Sequence, residues 1–179
     1  STNVGGLVGL ISGGTISGAM SNTGANVTGA GTNVGGLIGQ STSYQNTNKT
    51  VSGITVLGER AVGGLYGLFA GDSTGDSSTL TFAGVDVTAS NSTTTQGAGG
   101  LIGDLSGTWT KAHTLSTGAI SGQSAVGGMI GSMDGTVSGV LTRSGGSVTG
   151  SGTGVGGIFG QVSTANMNAG PVTSGSWSV

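Results

Sequence analysis

The chain of 179 residues carries a formal charge of −2 from four Lys or Arg and six Asp or Glu, with one His, one Pro, no Cys and 42 Gly. So few cations leave no electrostatic footprint for a nucleic-acid backbone or an anionic bilayer; the single Pro excludes a collagen triple helix, and the lack of Cys excludes a disulfide framework. With 34% hydrophobic residues and a mean hydropathy of +0.21 the chain is too apolar for a flexible linker. Abundant Gly, Ser and Thr disfavour helices, so the expectation is an all-β fold rich in turns.

In chain order, Ser1 in place of Met points to a processed product, and the first recognisable element follows at once. It is the hexapeptide Val4-Gly-Gly-Leu-Val-Gly9, which recurs as Val34-Gly-Gly-Leu-Ile-Gly39, Val62-Gly-Gly-Leu-Tyr-Gly67 and Ala98-Gly-Gly-Leu-Ile-Gly103. Two further copies are Val126-Gly-Gly-Met-Ile-Gly131 and Val155-Gly-Gly-Ile-Phe-Gly160. Behind the hexapeptides come segments such as Thr15-Ile-Ser-Gly18, Thr50-Val-Ser-Gly53 and Thr136-Val-Ser-Gly139, then Asn26-Val-Thr-Gly29 and Ser147-Val-Thr-Gly150, with Pro171-Val-Thr-Ser174 a looser relative. Each repeat reads as three short strands between Gly, Ser and Asn turns. Tandem units of this kind predict one domain over 1–179, a three-sided β-solenoid of about six coils and about 30 residues per coil, with coils starting near 4, 34, 62, 98, 126 and 155. A last strand is expected at Ser176-Trp-Ser-Val179, and no capping repeat is evident at either end.

The hexapeptide, followed by Gly-Thr-Ile-Ser-Gly and Val-Thr-Gly, resembles the GLUG repeat, named for Gly-Leu-hydrophobic-Gly, in all six copies. The fourth copy departs at Ala98 and the fifth at Met129, both volume-tolerant. That family occurs in large bacterial surface and secreted proteins, including haemagglutinin-like adhesins and peptidase stalks. The resemblance implies a β-solenoid, placement outside the cell or on its surface, and no catalytic residues.

Strict alternation along the hexapeptide puts Val4 and Val8 on one face and Leu7 on the other. The two-row Val/Ile ladder buries more per coil, so it is expected inside. The row Leu7, Leu37, Leu65, Leu101, Met129 and Ile158 then stands outward as a candidate lateral association stripe. The alternative is a bulge that turns both rows inward.

Candidate chemistry is sparse. The lone His113, in Trp109-Thr-Lys-Ala-His113, reads as a surface or turn residue, and no second His or Cys exists to build a zinc site. Asp72 and Asp76 lack a calcium-loop spacing, and Asp72 and Asp104 sit at different offsets in adjacent repeats, so neither pair predicts a metal site or glycoside chemistry. Tyr44, Tyr66, Trp109 and Trp177 share no repeat position and are expected to pack individually. Asn26, Asn48 and Asn91 fit the glycosylation acceptor pattern.

The expected function is therefore a non-enzymatic extracellular structural protein, a β-solenoid module of a surface fibre or adhesin that assembles end to end into a filament. No catalytic, cofactor or metal residues are expected. Its partners are further copies of itself, with host or surface glycans as a second class, and neither nucleic acid nor membrane insertion. The rival expectation is an ice-binding solenoid whose flat Thr/Ser face includes Thr28, Thr88, Ser121 and Thr149.

Overall fold

The computed structural model describes residues 2–116 and 118–163, together with the backbone of 166–167 and 173–174. Trp177, the expected strand 176–179 and most of the Pro171 segment lie outside them. Among the described residues there is no helix, and parallel strands stack into a β-solenoid of about five turns, roughly 29 residues per turn. Six hexapeptides delimit five complete turns, which accounts for the difference from the six coils expected.

Three six-stranded sheets carry the fold. The first stacks the Val-Gly starts of the hexapeptides, with Val4 beside Val34, Val62, Ala98, Val126 and Val155 in turn. The second stacks their ends, with Val8 beside Ile38, Tyr66, Ile102, Ile130 and Phe159. The third holds Met20–Thr23 and Val27–Thr28 against the long strands Lys49–Gly58 and Leu80–Ala89, then Ala119–Gly122 and Ser147–Gly150. Two three-stranded sheets fill the later turns, Thr108–Trp109 with Thr136–Val137 and His113–Leu115 with Leu141–Arg143 heading them.

One feature of the hexapeptide overturns the expected outward stripe. Leu37, Leu65, Leu101 and Met129 are fully buried and Ile158 is nearly so, leaving only Leu7, in the first turn, half exposed. The reason is a bend at the Gly-Gly-Leu step, which splits the hexapeptide between two sheets. Consecutive amides of Leu37 and Ile38 both donate to the Leu65 carbonyl, at 3.2 and 3.1 Å, and the pattern recurs at Leu65 and Tyr66 on Leu101. Alternation holds only along an extended strand, so once the chain turns between the rows both point inward. Val34, Val62, Ile38, Tyr66 and the Leu row from Leu37 to Ile158 thus share one core.

The bend depends on glycine. A Cβ at Gly63 would stand 1.9 Å from the Tyr66 carbonyl oxygen, and one at Gly64 would stand 2.2 Å from that of Gly100. The third sheet folds over the other side of the core through a kink at Gly53 (φ 62°) and Gly84 (φ 58°), left-handed conformations that glycine tolerates. Across this kink the inward residues Val51 and Ile54, or Phe82 and Val85, are three apart instead of two.

Candidate functional site

The third sheet brings Thr28, Thr88, Ser121 and Thr149 into one outward column. Thr28 and Thr88 both pair with Leu57, and Thr88, Ser121 and Thr149 follow in register. The column is not continuous hydroxyl. Leu57, 39% exposed, interrupts it, and the Thr88 and Ser121 hydroxyls are 3.0 Å apart, hydrogen-bonded to each other. An open groove of about 500 Å3 runs over Thr28, Leu57 and Thr88, with Glu59 at its edge. A bulky leucine and a carboxylate make this column an uneven surface.

Sequence reasoning missed a second outward face, which begins on the third sheet before the glycine kink and continues onto the three-stranded sheet of His113–Leu115 and Leu141–Arg143. Ser21, Thr50 and Thr81 lie side by side, Ala83 bridges Ser116 in the next turn, and Thr114 pairs with Thr142. The signal in the sequence is a Ser/Thr-x-Ser/Thr triplet, as in Ser21-Asn-Thr23, Thr50-Val-Ser52, Thr114-Leu-Ser116 and Thr142-Arg-Ser144. Its middle residue is inward and runs through Asn22, Val51, Phe82, Leu115 and Arg143, so no fixed motif betrays it.

The titratable groups fall into separate places. Asp72 is fully exposed; the Thr74 side chain, followed by the Thr74 amide that donates to it at 2.8 Å, holds its carboxyl below the ordinary range. Asp104 pairs along the second sheet with Leu68 and Ser132, while Asp72 bridges Thr108 beyond the next corner; the structure does not bring these acids together. Burial pushes the Asp104 carboxyl up to about 6, against the pull of the Ser132 hydroxyl, which donates to it at 2.9 Å. Asp134 and Ser163 line a small pocket of about 60 Å3 beside it. Among the described residues no group of three or more potential metal ligands gathers.

His113 corrects the surface reading given above. It lies in a strand with its ring edge-on to Phe82, centroids 6.1 Å apart, and burial followed by the nearby Lys111 lowers its pKa to about 4. Nor do the aromatics pack singly. Tyr44, Tyr66, Phe69 and Trp109 form one cluster with centroids 4.9 to 6.3 Å apart. Beside it, Lys49 is buried with its ammonium on the Tyr44 hydroxyl and the carbonyls of Gln45 and Thr47, and desolvation lowers its pKa to about 8. Lys111 pairs with Asp76 and the Ser78 carbonyl. Burial disfavours the Asp76 carboxylate, but bonds from Lys111, Tyr44 and Ser78 outweigh it and keep its pKa low. This network satisfies polar groups around a loop and presents no open reacting centre.

Asn26 and Asn48 accept the amides of Thr55 and Thr79 in the following turn at 2.8 and 2.9 Å, so both carboxamides act as clips between coils. Asp86 does the same for Ala119 at 2.7 Å. The chain matches no family model, no curated protein and no solved structure.

Proposed function

We propose that the protein is a non-enzymatic structural module of a fibre or adhesin outside the cell or on its surface, and that its coils add end to end. The observation that carries this reading is the parallel register in which the coils seat on one another, Val34 on Val62 and Ile38 on Tyr66. The first described turn keeps Leu7 and Leu10 50% and 49% exposed, whereas Leu37, Leu65, Leu101 and Met129, with turns on either side, are fully buried. A further coil can add to that turn by the same pairing, and the proposed donor is a second copy. The resemblance of the hexapeptide to the GLUG repeat and the low net charge, which weakens repulsion between copies, support the same reading.

Sedimentation and negative-stain electron microscopy of the purified chain test it. Rods that lengthen with protein concentration are expected, and Leu7→Asp should return them to monomers without loss of the β-sheet circular dichroism. Monomers at every concentration would overturn end-to-end assembly.

Ice binding is the second reading. What favours it is that outward Ser and Thr side chains fall into straight columns on a sheet whose strands stack at a constant spacing.

A further inference from the structure

The outward face that precedes the glycine kink carries two adjacent columns. The first is Ser21, Thr50, Thr81, Thr114 and Thr142, and the second, two residues further along each strand, is Thr23, Ser52, Ala83, Ser116 and Ser144. Ala83 alone lacks a hydroxyl, and no position is charged. The intervening side chains point inward and are buried, so the grid stands on packed core.

Most of these hydroxyls are unengaged. Among the described residues Ser21, Thr23, Thr50, Ser52, Thr81, Thr114 and Ser116 make no side-chain hydrogen bond to the protein. Elsewhere hydroxyls are consumed by the fold: Ser92 accepts two amides, from Gln123 and Ser124, and Ser73 bonds with Thr110. The grid therefore offers donors and acceptors to a ligand outside the chain.

Its geometry narrows what that ligand is. Neighbouring strands stand ~4.8 Å apart and alternate residues ~6.7 Å apart, so the hydroxyls repeat in two dimensions on a rigid support. A free solute meets one or two such groups; a crystalline surface meets all of them in phase, and small contacts then add on one rigid body. Crystalline polysaccharide calls for aromatic platforms under its sugar rings. Here Tyr66, Phe69 and Trp109 are fully buried in the core. Water needs only small hydroxyl and methyl groups, without charges that impose a competing hydration shell.

We propose that this grid of Ser and Thr residues binds the surface of ice. The proposal rests on the ice-binding reading and assigns it to a face distinct from the Thr28 column. It is tested with the intact chain by thermal hysteresis and by partition into a growing ice hemisphere. Thr81→Lys and Thr114→Lys, on different strands and made singly so that a fault in one leaves the other, place a long cation in the grid. Thr88→Lys places one on the other column, and circular dichroism confirms the fold of each. The wild type and Thr88→Lys are expected to shape ice and enter it, while the two grid variants fall to the level of an inert control protein. No ice activity in the wild type overturns both the proposal and the reading beneath it. Ice activity that survives both grid variants, or that Thr88→Lys abolishes, overturns the assignment to this face and leaves the ice-binding reading standing.

Discussion

Two single residues set opposing pH dependences on stability. Asp104 has a folded pKa raised to about 6 by burial, so the folded state holds its proton more tightly than the unfolded chain does. Its contribution is favourable in acid and is lost as pH rises from about 4 to about 6. His113 is the reverse case. Its folded pKa is lowered to about 4, so the unfolded state binds the proton first and stability drains away as pH falls from about 6.5 to about 4. Each shift is worth on the order of 3 kcal/mol, and in the wild type the slopes largely cancel. Urea denaturation at a series of pH values should separate them. Asp104→Asn is expected to gain stability at pH 7 and then to weaken steadily on acidification, whereas His113→Gln should grow more stable towards pH 4. Parallel profiles for the two variants would show that these burials do not govern the response.

At the scale of the element, the Gly-Gly bend decides which side chains form the core. A Cβ at Gly64 would meet the Gly100 carbonyl at 2.2 Å and the Phe82 ring at 2.4 Å, whereas one at Gly18 meets nothing within 4 Å. Gly64→Ala should accordingly cost about 3 kcal/mol or more through overpacking, with Gly18→Ala within about 0.5 kcal/mol of wild type; thermal melts compare the two directly. The bend also explains what could be read in the sequence. The hexapeptide spacing discloses the stacked coil, because each copy must find its equivalent in the next turn, Val34 on Val62 and Ile38 on Tyr66. Which way Leu37 or Leu65 points depends on where the strand breaks, and a period-two pattern assumes no break. The Ser/Thr grid was hidden for another reason. Its outward residues recur, but their inward partners range from Val51 to Arg143 and the turn length shifts through an insertion at 90–97, so the triplets align only once the coils are stacked. Contacts such as Tyr44 with Trp109 join residues far apart in the chain and needed the same stacking.

On the scale of the whole molecule, the parallel register that buries each coil on its neighbours also sets how the protein answers to force. Backbone hydrogen bonds between turns run along the solenoid axis, as from Leu37 to Leu65 and from Leu65 to Leu101, and each turn leans only on the turns beside it. Tension applied between the chain ends strips the outermost coil first, loading one rung of bonds at a time. With roughly 29 residues per turn, each event should release about 100 Å of chain at about 3.5 Å per residue. Optical-tweezer traces are then expected to show a sawtooth of small, nearly equal steps; a single rupture of the whole rod would contradict this. A fibre built of such coils yields gradually under load, as an extensible shock absorber that shortens again when its coils rewind.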